Sequence, residues 1–251
     1  SRCSLRLAWQ YFITEALGIM PGRFEGEVVP VNLHSGGPER VGQGLSDVVI
    51  DLAPTAINRI DPQAACRGQW IEINGRGFAG GEATTSVRIE GSFTHPDGKV
   101  EDLTGDNALV LVPQVLAGDT MRYVLRPVPD GHGGLEGLGA FAGVLRGTVT
   151  PVVYLGSDVQ QGIPLQGELV FRVLPQKQVD YIKYLPGFTD ALRAFGLRNV
   201  EGRIRGRILE VVERDYQGIN VEFVLERPSD FVDYGVIEVG GRDPNGMGLL
   251  G

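Results

Sequence analysis

The chain has 251 residues, 42% of them apolar, and a mean hydropathy of −0.01, enough for a substantial core in one or two domains. Its formal charge of −8 argues against a nucleic-acid partner, because gripping a phosphate backbone needs a clustered positive field. No run reaches the roughly 18 consecutive apolar residues of a membrane span, while 37 scattered glycines and 15 prolines favour many short strands joined by tight turns.

The most apolar stretch, Leu5 to Met20, is interrupted by Arg6, Gln10 and Glu15 and is followed by no cleavage-site pattern, so it does not read as a signal peptide. A mature or truncated exported protein would look the same. The only cysteines are Cys3 and Cys66, which permit one disulfide or two buried free thiols; both readings stand. Glu27 to Leu33 and Asp47 to Leu52 carry dense β-branched residues bounded by Gly and Pro and predict strands. A short link from Ala53 to Pro62 leads to an alternating run beginning at Trp70 or Ile71, with a turn expected at Asn74-Gly75. Further strands are predicted at Ser86 to Glu90, Ala108 to Pro113 and Met121 to Arg126, followed by a Gly-rich loop from Asp130 to Gly139.

Residues 138 to 175 then repeat residues 17 to 54 at a constant offset of 121. Leu17, Gly18, Gly22, Gly26, Val28, Pro30, Val31, Val49 and Pro54 fall without a gap on Leu138, Gly139, Gly143, Gly147, Val149, Pro151, Val152, Val170 and Pro175. The apolar pairs Phe24/Leu145 and Ile50/Phe171 extend the match, which exceeds what shared composition gives and implies a duplicated domain. The second copy has a full domain's length before it and the first only sixteen residues, so the chain is expected to begin inside a domain.

The middle piece, residues 57 to 126, resembles the TIG (IPT) family of immunoglobulin-like domains. The resemblance rests on Ile57-x-x-Ile60-x-Pro62, on Cys66-Arg67-Gly68, on Ile71-x-Ile73-x-Gly75-x-Gly77-Phe78, on Val87-x-Ile89 and on Leu111-Val112-Pro113. It implies a sandwich of the extracellular or cell-surface kind that spaces or binds other domains. Ser92 to Gly98 departs from the pattern as an insertion expected to lengthen a loop.

After Pro175 the texture changes. Gln178 to Leu185 predicts a strand, and Phe188 to Tyr216 a helical stretch whose Leu197, Val200, Ile204, Ile208, Val211 and Val212 form one apolar stripe, with Gly202 and Gly206 on the other side. The basic run Arg198 to Arg214 alternates with Glu201, Glu210 and Glu213 and reads as a solvated helix face. Strands are expected at Asn220 to Glu226 and Gly235 to Val239, giving the order β-α-β-β of a small α/β layer. Through Arg214-Asp215-Tyr216, Asn220-Val221-Glu222-Phe223 and Ile237-Glu238-Val239-Gly240-Gly241, residues 176 to 251 resemble the opening half of a metzincin-type zinc metallopeptidase domain. That resemblance implies a zinc-binding helix beyond Gly251.

The H-E-x-x-H motif, which sets two imidazoles on one helix face with a Glu beside the metal-bound water, does not occur. His34, His95 and His132 stand alone and read as surface loop residues. G-x-S-x-G is missing, Cys66 has no nearby His, and Asp243 to Gly246 reads as a plain turn rather than a calcium loop. The carboxylate pairs Glu101/Asp102 and Asp230/Asp233 read as solvated loop charges. No catalytic, cofactor-binding or metal-binding residue is nominated and no cofactor is expected.

The sequence therefore predicts a mainly β protein: immunoglobulin-like sandwich repeats followed by a β-α-β-β segment. Residues 1–54 are the C-terminal part of a first repeat, 55–175 a complete repeat and 176–251 a partial α/β domain. The expected function is a non-catalytic exported, periplasmic or cell-surface module acting as a spacer, interaction or assembly domain, with a protein partner or self-association. The alternative is the N-terminal region of a secreted zinc metallopeptidase precursor.

Overall fold

Runs of β-branched residues cut by Gly and Pro make the first strands of the computed structural model, which describes residues 21–32, 40–81, 83–129 and 135–240. They are β1 (Gly22–Val28), β2 (Val31–Asn32), β3 (Arg40–Val41) and β4 (Leu45–Leu52), paired antiparallel as β1 with β4 and β2 with β3. The expected Glu27 to Leu33 strand is broken at Pro30, whose ring leaves no N–H for a ladder bond.

Next come β5 (Ala56–Asp61), β6 (Ala64–Ala65), β7 (Trp70–Arg76), β8 (Ala83–Thr94), β9 (Val100–Leu103), β10 (Leu109–Leu111), β11 (Gln114–Ala117) and β12 (Thr120–Val124). A short pair, β13 (Val128–Pro129) and β14 (Leu135–Glu136), leads to β15 (Gly143–Leu155), β16 (Asp158–Gln161) and β17 (Leu169–Val173). The repeat is visible in the ladders. Adding 121 to Gly22↔Leu52, Phe24↔Ile50 and Gly26↔Val48 gives Gly143↔Val173, Leu145↔Phe171 and Gly147↔Leu169, the observed β15–β17 register.

Two sheets share one core. The larger runs β10-β8-β15-β17-β6, with β9 and β16 added at β8 and β15; the smaller runs β11-β12-β7-β5. Ile57 and Ile60 of β5, Ile71 and Ile73 of β7 and Met121 of β12 cluster with Val87 and Ile89 of β8, Leu145 and Val149 of β15 and Phe171 of β17. Each such side chain contributes about 1.5–3 kcal/mol by leaving water, so this core outweighs the turns that frame it. The hydroxyl of Thr85, fully buried, is satisfied locally: it accepts from Ala79 N–H and donates to Ala79 C=O.

Two expectations fail here. Asn74-Gly75 is not a turn: β7 runs straight through both residues, because β5 and β12 pair on either side and a side chain at 75 would strike Ala56 and Phe78. Gly75 is there for close approach. The Ser92 to Gly98 insertion does not simply lengthen a loop either. Ser92 to Thr94 extend β8 and pair with Val100 to Asp102 of β9, leaving only the tight turn at His95–Gly98, closed by Gly98 N–H to His95 C=O at 3.0 Å.

The C-terminal unit comprises β18 (Gln178–Tyr184), α1 (Pro186–Ala194), α2 (Glu201–Asp215), β19 (Val221–Val224) and β20 (Gly235–Val239). All its strands are parallel, in the order β19-β18-β20. The expected helical stretch from Phe188 to Tyr216 is two helices: the chain turns at Gly196, whose φ of +71° lies in the left-handed region. A Cβ added at Gly202 or Gly206 of α2 would meet nothing within 4 Å.

Arg205, on the run read as a solvated face, instead folds inward. Its guanidinium lies 4.4 Å from the Tyr184 ring centroid and 5.7 Å from that of Phe188, and it pairs with Glu201, which also accepts from Thr189 Oγ1 at 3.0 Å. The Thr189 hydrogen bond and the Arg205 charge hold the Glu201 carboxyl below its usual range, against some loss of hydration. Burial pushes the Tyr184 phenol up, against the pull of Arg205. A depressed carboxyl contributes stability above its unfolded value and loses it as pH falls through the folded one. The thermal midpoint of the α/β unit should therefore fall as the buffer drops below the ordinary glutamate value of 4.5. Glu201→Gln should start lower at neutral pH and decline less over that window; parallel curves for the two proteins would refute this.

Candidate functional site

Among the described residues, an apolar concavity lies under the β8–β9 hairpin. Because Phe93 and Glu101 are cross-strand partners, as are Gly91 and Leu103, their side chains share one face of the sheet. Leu109 of β10 and the segment Gly137 to Phe141 close the other walls of a cavity of about 150 Å³. Among the described residues its lining is apolar apart from Glu101.

His95 stands at this mouth. Only 14% of its side chain is exposed, with the ring edge-on to Phe93 at 4.9 Å and to Phe141 at 5.6 Å. Its Nε2 lies 3.3 Å from Glu101 Oε2. The surface-loop reading of His95 is thus corrected: the hairpin extension carries it back over Phe93 into an aromatic clamp. Glu101 keeps 54% of its side chain exposed, and its Oε1 has no partner among the described residues. Asp102, the next residue on the strand, leaves by the opposite face and accepts from Thr104 Oγ1 at 2.9 and 2.8 Å. The two carboxylates therefore do not meet on one substrate. Nothing local in the sequence announces this pocket, since its walls come from three separated segments; the insertion at Ser92 to Gly98 is its one trace.

A second constellation joins the two-sheet unit to the α/β unit. The loop from Cys66 to Trp70 and the loop from Asp230 to Asp233 run antiparallel and exchange main-chain bonds: Trp70 N–H to Asp230 C=O at 2.8 Å, and Val232 N–H to Gly68 C=O at 2.9 Å. Gln69 Nε2 donates to Asp230 Oδ2 at 2.9 Å, and Arg126 Nη2 donates to both Asp233 oxygens at 2.9 and 3.0 Å. Beneath them Cys66, Val179 and Phe231 form a small apolar plug with Val224 and Tyr234. Asp230 and Asp233 are exposed loop carboxylates, as the sequence reading has them, and each also meets a partner across the junction. Cys66 is a buried free thiol, filling the plug. Sequence reasoning missed this because the partners are more than a hundred residues apart.

His34, His132, Cys3 and Asp243 to Gly246 lie outside the described residues. Among the described residues no group of three or more His, Cys, Asp and Glu side chains converges as a metal site would require, and no helix is long and apolar enough to cross a membrane. Comparison with known protein families and with curated proteins finds no match to this chain.

Proposed function

We propose that the chain is a non-catalytic exported or cell-surface module in which immunoglobulin-like repeats hold a following α/β unit at a fixed angle, as a spacer and assembly element. The observation that carries this reading is the junction. An interface with two main-chain hydrogen bonds, an apolar plug and an exposed Arg126–Asp233 ion pair supports one orientation rather than a loose tether. Unpaired sheet edges supply the means of assembly. The outer edge of β20 has no neighbour among the described residues, and Val236 and Ile237 there are 51% and 41% exposed. Such an edge can accept a strand from a partner or a second copy.

The test is small-angle scattering of the chain and of a Phe231→Ala/Asp233→Ala variant. The unaltered chain should fit one inter-unit orientation. The variant should keep both units folded yet need a distribution of orientations, with faster tryptic cleavage at Lys177 in the connecting stretch. A wild-type profile that already demands many orientations, or a variant indistinguishable from it, would defeat the spacer reading.

The parallel order β19-β18-β20, with a helical crossover between β18 and β19, favours the second reading, the opening half of a zinc metallopeptidase domain. It requires an H-E-x-x-H helix encoded downstream of Gly251, and reading the coding sequence there decides it.

A further inference from the structure

We propose that the cavity under the β8–β9 hairpin is a binding site for a small organic cation, with a single ring or leucine-sized group inside and an ammonium or guanidinium group at Glu101. The size sets the apolar part. An apolar cavity of about 150 Å³ matches one benzene ring, and Phe93, Leu103, Leu109, Leu138 and Phe141 offer such a ring hydrocarbon and aromatic edges on several sides.

The sign of the charge comes from the rim. Among the described residues Glu101 is the only ionisable one lining the cavity, and no described Lys or Arg side chain lines it to neutralise the carboxylate. One carboxylate oxygen is engaged by His95 Nε2, which orients the group; the other, Oε1, has no partner among the described residues. With Nε2 carrying the proton, the imidazole donates to Oε2 and leaves the carboxylate its charge. His95 is itself held by two aromatic edges, so the acceptor is positioned before a ligand arrives. An anion of the same shape would meet this carboxylate as a like charge, and a neutral analogue would gain only the apolar part. The inference is independent of the spacer role: the chain could hold its units rigidly with this cavity inert, or bind here while flexing at the junction.

Three probes with the same ring separate the contributions: 2-phenylethylammonium, 2-phenylethanol and 3-phenylpropanoate. Each is titrated at one fixed pH into the intact isotope-labelled chain while the methyl resonances of Leu103, Leu109 and Leu138 are followed. The ammonium should give saturable shifts at these leucines, the alcohol should bind about two- to fivefold more weakly, as expected of a half-exposed charge pair, and the carboxylate weaker still. Glu101→Gln, an exposed substitution that leaves the apolar walls intact, should bring the ammonium down to the alcohol while the alcohol is unchanged. Ala140→Leu, which narrows the cavity, should weaken all three together. No saturable shift at these leucines with any probe overturns the proposal. So does a carboxylate that binds as tightly as the ammonium, or an ammonium affinity that Glu101→Gln leaves alone.

Discussion

Gly147→Val is expected to lower the stability of the two-sheet unit by at least about 3 kcal/mol, beyond the 1–3 kcal/mol usual for overpacking. Gly147 and Gly91 lie opposite each other in the β8–β15 ladder, the longest among the described residues. A Cβ at Gly147 would stand 2.9 Å from the Glu90 carbonyl carbon and 3.2 Å from Gly91 Cα; one at Gly91 would stand 2.6 Å from Gly147 Cα. The obstacle on each side is main chain, which has no rotamer to escape into, so the two strands would have to part where the core depends on their contact. Gly202→Ala makes the opposite case. At that position of α2 a Cβ meets nothing within 4 Å, and the change should add up to about 1 kcal/mol through helix propensity. Urea unfolding followed by circular dichroism reads both. A Gly147→Val protein with an unchanged midpoint would mean that the two strands are not packed as described.

The second large effect is expected at Phe171. Its side chain is 1% exposed, sits across the ladder from Leu145 and belongs to the cluster shared by both sheets. Phe171→Ala should cost about 3–5 kcal/mol, the transfer of the ring plus the cavity it leaves. Against a typical domain stability of about 5–15 kcal/mol, that brings the two-sheet unit close to unfolding at ambient temperature. The α/β unit has its own buried residues, Ile182 and Phe223, and should unfold near its original midpoint, so calorimetry should show two transitions drawing apart. Leu145→Ala should be less than additive with Phe171→Ala, because the two side chains border the same space. A loss below about 1.5 kcal/mol for Phe171→Ala would contradict a common core.

These two positions also show what was legible in the sequence. Gly147 and Phe171 were marked by the repeat, since they correspond to Gly26 and Ile50, and the strand-pairing register that the two copies share shows why those positions match. The β-α-β-β order was legible for a similar reason: its periods change within the chain from two to roughly 3.6 and back. Local signals failed where distant backbone overrode them. Asn74-Gly75 has strong turn chemistry, yet two flanking strands and the tight approach of Ala56 hold it extended. The candidate sites were less legible than the fold because their partners are nonlocal. Nothing in the neighbourhood of Asp233 points to Arg126, and nothing near His95 points to Phe141. Arg205 shows the same limit within a helix: the charge pattern placed it in water, while stacking on Tyr184 turned it inward.

The repeated prolines have a consequence for how the two copies could diverge. Pro151 accepts Gly162 N–H at 2.8 Å and Pro30 accepts Gly42 N–H at 2.8 Å, and in each copy the missing return donor lies where the strand passes from one neighbour to the next. Beyond that point the outer hairpins differ by one residue, Val31 pairing with Val41 but Val152 with Gln161, while the inner ladders keep matching partners from Gly22 to Gly26 and from Gly143 to Gly147. Each proline thus acts as a loose joint between the outlying hairpin and the inner ladder, so that a length change outside it leaves the pairing of Gly22–Gly26 and Gly143–Gly147 in step.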